Sequence, residues 1–344
     1  MKSILKIKST VILSVAVSII LTACTSSSHQ TASPNATKDS QTTALPTTIN
    51  VEGIALNPEG IEYDKNDHTF LLSSLNAAPI IKVNPDGTFK PFTHGEKFPL
   101  STAGLQVDYQ RNRLLVAGFN GTEIMDNDPE TKGAAFLRVY NLNTGALEQD
   151  INLDALVPEA HAYFANDVAV DSDGNAYVSD WYAGVIYKVD VNGKATLFWK
   201  KDSGVQGGPN GLDYHTDGYL LVSIIAVNDK GLYTEHGLVK IPLNNPTSAT
   251  NVKISDADFS GFDGMVINTY GHVVGVTNNG TDPGGNTLIE LSSKDGWKSA
   301  EVVNTKAITT STTVAITPDN KQFIINQDFS NNFAKTWTIE QVKF

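Results

Sequence analysis

The stretch Asn166-Asp167-Val168-Ala169-Val170-Asp171-Ser172-Asp173-Gly174-Asn175-Ala176-Tyr177-Val178-Ser179-Asp180 holds one strand–turn–strand unit. Asp171-Ser172-Asp173-Gly174 has hairpin-turn chemistry, and the runs on either side have strand length and alternate apolar with polar positions. Similar turn signals stand at Asn84-Pro85-Asp86-Gly87, Val191-Asn192-Gly193 and Thr216-Asp217-Gly218. No segment beyond the amino terminus sustains a 3.6-residue apolar period, so the fold class is all-β.

The unit repeats. Its first strand can be read at Gly60-Ile61-Glu62-Tyr63-Asp64, Gly104-Leu105-Gln106-Val107-Asp108, Asp167-Val168-Ala169-Val170-Asp171, Gly211-Leu212-Asp213-Tyr214-His215, Gly264-Met265-Val266-Ile267-Asn268 and Thr313-Val314-Ala315-Ile316-Thr317. Spacings of 44 to 63 residues suit four-stranded blades with unequal loops. Six units predict a six-bladed β-propeller over residues 49–344. The sixth unit offers three strands, and Thr48–Ala55 supplies its expected fourth. Strands from both termini would then close the ring and remove an open sheet edge. The longest insertions, Asn120 to Gly133 and Val227 to Gly237, are expected on a rim.

The amino terminus has a different character. Lys2, Lys6 and Lys8 precede an apolar run, Ser9 to Ala23, that is short for a membrane span and has the flanks of a secretory signal. It ends in Leu21-Thr22-Ala23-Cys24, which resembles the lipobox of bacterial lipoproteins. Residues 1–23 are therefore read as a signal peptide and Cys24 as the lipidation site. Residues 24–48, rich in Ser, Thr, Ala and Gln, read as a disordered tether. The expected location is the bacterial cell envelope, with membrane attachment through the lipid alone. Cys24 is the single cysteine, which excludes a disulfide framework. The net charge of −12 becomes −15 once the three signal lysines are removed, and no basic block stands out. Nucleic acid is thereby disfavoured as a partner. A monomer acting on a small molecule is the expected state.

Aligning the six units on their first strands gives a column of residues just before each strand: Glu59, Ala103, Asn166, Asn210, Asp263 and Thr312. Innermost strands line a propeller's channel, so these positions converge on its axis. Singly, Asn210-Gly211 and Asp263-Gly264 read as turn dipeptides. Jointly, two carboxylates and two carboxamides in one register point to a shared cation, because the carboxylates would otherwise repel. An all-oxygen donor set suits Ca²⁺ first, then Mg²⁺ or Mn²⁺. His161, Trp181 and His215 are further pocket candidates.

Pro58-Glu59-Gly60, Ala165-Asn166-Asp167 with Val170 to Asp180, Pro209-Asn210-Gly211 and Phe262-Asp263-Gly264 resemble the senescence marker protein/gluconolactonase family, which includes lactonases. The diisopropyl fluorophosphatase type is similar in its Glu, Asn, Asn, Asp order. The likeness runs from about Glu52 to the carboxyl end. Leu137 to Gly145 looks more like a bacterial lipoprotein branch than the sugar lactonases. The resemblance implies one divalent metal held by Glu59, Asn166, Asn210 and Asp263, with Asp263 also the base or nucleophile. It further implies metal-dependent hydrolysis of a lactone or related ester. The alternative is a non-catalytic surface propeller that binds a ligand or protein around a structural metal. A third reading, metal-free strictosidine-synthase-like chemistry, uses the same fold. No Gly-x-Ser-x-Gly elbow or phosphate loop is present.

Overall fold

The computed structural model describes residues 44–96, 100–120, 133–160, 162–201, 206–227, 233–255, 259–277, 286–326, 331 and 334–344. Within them, 25 strands form six sheets, antiparallel but for one pair, arranged as the blades of a propeller. Blade one is β2 (Ile61–Asp64), β3 (Thr69–Leu72), β4 (Ile81–Val83) and β5 (Phe89–Pro91). Blade two is β6 (Ser101–Asp108), β7 (Arg113–Asn120), β8 (Ala134–Asn141) and β9 (Leu147–Asn152). Blade three is β10 (Ala165–Val170), β11 (Ala176–Asp180), β12 (Val185–Val189) and β13 (Ala195–Lys200). Blade four is β14 (Gln206–His215), β15 (Tyr219–Val227), β16 (Tyr233–Pro242) and β17 (Thr250–Asn251).

Blade five departs from the four-stranded expectation. Beside β19 (Met265–Ile267), β20 (Val273–Thr277), β21 (Thr287–Ser292) and β22 (Ser299–Ala307) it carries β18 (Lys253–Ile254), paired parallel to β22. This two-residue segment covers part of an outer edge, and it is too short to have a period of its own. Blade six is β23 (Val314–Ile316), β24 (Gln322–Asn326) and β25 (Thr336–Val342), completed by β1 (Thr48–Glu52). Ile49 pairs with Ile339 and Val51 with Trp337, so strands from both termini close the ring as expected.

The hairpin turns form as their residues dictate. Gly87, Gly174, Gly193 and Gly218 all take positive φ, a conformation that costs glycine little. Each closes its turn by donating its N–H to the carbonyl three residues back, as in Gly174 to Asp171 at 3.0 Å.

The core is divided into six clusters, one at each junction between blades, because strand alternation sends successive side chains to opposite faces. In β11, Val178 packs with Leu115, Leu137 and Val139 of blade two. Its neighbour Tyr177 packs with Leu212, Val222 and Val239 of blade four. The remaining four junctions are built the same way. Every blade is thus apolar on both faces, and the inner edges of the first strands are left to surround the axis.

Candidate metal centre in the channel

The inner strands approach one another at the glycines that follow the column residues. A Cβ on Gly60 would lie 2.3 Å from the Ala103 carbonyl oxygen, and one on Gly211 would lie 2.5 Å from that of Asp263. Asn210-Gly211 and Asp263-Gly264 therefore differ from the turn dipeptides they resemble. Gly211 lies within β14, neither glycine has positive φ, and each is needed for close contact between blades.

Three of the column residues sit in irregularities, Ala103 among them, since the pairing of β6 with β7 shifts between Thr102 and Leu105. The pairing of β10 with β11 shifts between Ala165 and Val168, and that of β14 with β15 shifts between Pro209 and Leu212. Asn166 and Asn210 fall inside these bulges, which re-aim side chains out of the ladder. Glu59 precedes β2, and Thr312 of blade six donates its hydroxyl to the Glu59 carbonyl at 2.7 Å. Asp263 precedes β19, with its N–H bonded to the Val276 carbonyl at 2.8 Å.

These four residues share one region. Glu59 and Asn166 line the same narrow cavity on the axis, about 30 Å³ in volume. Asn210 donates from Nδ2 to Asp263 Oδ1 at 3.2 Å. Burial first, then the Asp263 and Asp167 carboxylates, hold Glu59 well above the usual carboxylate range. Glu59, Asn166 and Asn210 are buried, and Asp263 is half-buried. Asn210 Oδ1 is buried with no hydrogen-bond partner. A buried carbonyl oxygen without a donor is costly. A hard cation beside Glu59 and Asp263 would satisfy that oxygen and offset their repulsion, so the residues present fit the group. Among the described residues, no set of three or more His, Cys, Asp and Glu is arranged for a metal. The donors here are two carboxylates and two carboxamides.

A second acidic layer lies deeper in the channel and was not singled out from the sequence. Glu62, Asp167 and Asp213 line the same cavity. Asp167 Oδ2 accepts the Leu212 N–H at 3.0 Å, and Asp213 Oδ2 accepts the Ile267 N–H at 2.6 Å. Glu62 Oε1 accepts from Gln106 Nε2 at 3.1 Å and from the Val107 N–H at 3.4 Å. Each carboxyl therefore ties one blade to the next. Burial is the largest cause pushing Glu62 up to about 8, Asp167 to about 7 and Asp213 to about 6, against opposing backbone hydrogen bonds. A sequence signal existed: Glu62 and Asp213 stand three residues beyond Glu59 and Asn210, and Asp167 stands where four of the other units have glycine.

The remaining pocket candidates lie elsewhere. Trp181 is half-buried at the end of β11, donating from Nε1 to the Ile225 carbonyl at 2.7 Å and packing on Tyr182 at 4.9 Å. It bridges blades three and four beyond Asn166. His215 ends β14, five residues beyond the mid-strand Asn210 and about 16 Å away along an extended strand. There it stacks on Tyr219 with ring centroids 4.5 Å apart and lines a cavity of about 520 Å³ that shares Glu62, Gln106 and Asp213 with the axial one. That strand direction separates His215 from the four column residues. His161 and Cys24 lie outside the described residues, as do residues 121–132 of the first predicted insertion and 228–232 of the second, whose remaining positions belong to β15 and β16.

No family model matches the sequence, and no curated protein is similar to it. Solved structures with the same architecture do exist. A protein of unknown function from Bacteroides thetaiotaomicron superposes with a TM-score of 0.59 at 14% identity, covering 86% of this chain and 76% of that one. A gluconolactonase from Xanthomonas campestris gives 0.53 at 16% identity, covering 86% and 89%. Regucalcin from Agrobacterium tumefaciens, described as a calcium-binding protein, gives 0.52 at 18% identity, covering 84% and 90%. The chain is thus a six-bladed propeller whose structural neighbours include gluconolactonase- and regucalcin-like proteins, at identities that speak to fold alone.

Proposed function

We propose that the channel holds one divalent cation, Ca²⁺ in preference to Mg²⁺ or Mn²⁺, and that the protein hydrolyses a lactone or related ester there. The observation that carries the reading is Asn210. Its Nδ2 is committed to Asp263 while its buried Oδ1 has no partner, beside two carboxylates and a second carboxamide. Glu59, Asn166, Asn210 and Asp263 would hold the ion. When bound, such an ion polarises an ester carbonyl and acidifies water. Glu59 would supply buried negative charge, which a cation would favour over the neutral state that burial imposes on it. Asp263 is the more open carboxylate, oriented by the Asn210 amide, and is suited to take a proton from an attacking water or to attack directly.

Metal analysis followed by a lactone and phosphoester panel, with and without chelator, tests this reading. The expected result is about one Ca²⁺ per chain and ester turnover that chelation abolishes and Ca²⁺ restores. Bound metal without turnover across the panel would instead favour the non-catalytic binding propeller. Turnover indifferent to chelator would remove the cation from the reaction.

We also propose that a lipid on Cys24 holds the domain at the cell envelope, on the strength of the Leu21-Thr22-Ala23-Cys24 sequence. Cys24→Ser is expected to move the protein from the detergent phase to the aqueous phase in a phase-partition assay. An unchanged distribution would count against the anchor.

A further inference from the structure

Three serines at one register of the second strands contact backbone beside the candidate ligands. Ser73, Ser179 and Ser223 each follow the residue that pairs with the inner strand, as Leu72 pairs with Ile61, Val178 with Val168 and Val222 with Leu212. All three are fully buried. Ser73 Oγ accepts the N–H of Gly60, the residue after Glu59, at 2.6 Å. Ser179 Oγ accepts the N–H of Asp167, the residue after Asn166, at 3.0 Å. Ser223 Oγ reaches from blade four to blade five and accepts the N–H of Phe262, the residue before Asp263, at 2.7 Å.

The distribution of these serines follows the ligands. Blades one, three and four carry both a ligand candidate and a serine at this register. Blade two has Ala103 in the ligand column and Ala117 in place of the serine, since Val116 pairs with Leu105. Blade six has Thr312 and, after Ile324, Ile325. Blade five has Asp263 but Val276, and there the Asp263 N–H is bonded to the Val276 carbonyl instead. A bulge aims a side chain at the axis by breaking ladder pairing, which leaves a backbone donor to be satisfied. In blade three the serine hydroxyl takes over that donor and fixes the backbone carrying Asn166.

We propose that Ser73, Ser179 and Ser223 are positioning residues, which hold the backbone of Glu59, Asn166 and Asp263 in a cation-ready geometry. This rests on the reading of the channel as a cation site. A purely structural serine would lower stability in proportion to its lost hydrogen bond and leave cation affinity alone. A positioning serine preorganises the donors, so its loss appears in affinity beyond any loss of stability.

The test titrates Ca²⁺ calorimetrically into the chelator-stripped full chain, with apo stability measured by urea unfolding. Ser179→Ala and Ser223→Ala are each expected to raise the Kd about tenfold or more, with Ser179→Thr recovering most of the loss by restoring the hydroxyl. Ile324→Val, in blade six, which carries no ligand candidate, serves as a control of comparable apo stability and is expected to keep the Kd within about twofold. Should Ser179→Ala fail to fold, Ser73→Ala and Ser223→Ala decide the matter. Kd values within twofold of wild type in the alanine variants would overturn the positioning role while leaving the cation site standing. An equal loss in Ile324→Val would do the same. Absence of Ca²⁺ binding by the wild type would overturn both.

Discussion

Asp263→Asn is expected to leave a folded propeller whose ester turnover has fallen by about 10²–10⁴-fold, the range a positioned acid–base group contributes. The variant is nearly isosteric, and the backbone bonds that seat the residue, Asp263 N–H to Val276 and Gly264 N–H to Thr312, do not involve the side chain. A rotated carboxamide can still accept the Asn210 Nδ2–H that Asp263 Oδ1 accepts at 3.2 Å. What disappears is the charge and the ability to take a proton. Saturating Ca²⁺ should therefore fail to restore kcat. Glu59→Gln makes a useful contrast, since Glu59 is buried and pressed toward neutrality by Asp263 and Asp167. Its loss should show chiefly as a higher Ca²⁺ requirement, with kcat partly regained when the ion is in excess. Steady-state kinetics at graded Ca²⁺ separates the two, and full activity in Asp263→Asn would refute its assigned role.

The sequence made the ring and its column of oxygen donors visible for one physical reason. A propeller repeats its innermost strand, so one register of one strand maps onto the axis, and Glu59, Asn166, Asn210 and Asp263 could be aligned without coordinates. Closure by β1 was legible because the sixth unit lacked a strand and Thr48–Ala55 preceded the first. Features that depend on neighbouring blades were not legible. Gly211 and Gly264 carry the composition of turns, yet their small size serves contact between inner strands. Asp167 and Asp213 look like ordinary strand residues until the adjacent blade's N–H groups are brought to them. The serines are similar: Ser179 reads as a polar end to an apolar strand, and only the bulge at Asn166 gives its hydroxyl a donor to accept. His215 lines a cavity with Glu62 and Asp213, and its distance from Asn210 follows from the strand direction.

In the absence of a divalent cation, stability is expected to fall as pH rises from about 5 to 9, and Ca²⁺ is expected to stabilise most at the alkaline end. Glu62 is raised from its ordinary 4.5 to about 8, Asp167 from 3.8 to about 7 and Asp213 from 3.8 to about 6, each chiefly by burial. A carboxyl raised in the folded state binds its proton more tightly there than in the unfolded chain. Its stabilising effect is complete below the unfolded pKa and is lost as pH climbs through the folded value. Each such group contributes a slope of about 1.4 kcal/mol per pH unit while it is protonated in the fold and ionised in the unfolded chain. Around pH 5 to 6 all three act together, and by pH 9 each proton has been lost, so the summed loss is several kcal/mol. A cation beside Glu59 and Asp263 reverses the preference there, since it favours the ionised carboxylates. Ca²⁺ binding should accordingly release protons and gain strength with pH. Urea unfolding from pH 5 to pH 9, in chelator and in excess Ca²⁺, checks both statements. Glu62→Gln should flatten the apo profile up to about pH 8, because it removes the group with the widest window. An apo stability that rises steadily with pH would contradict the buried acidic layer as the source of the dependence.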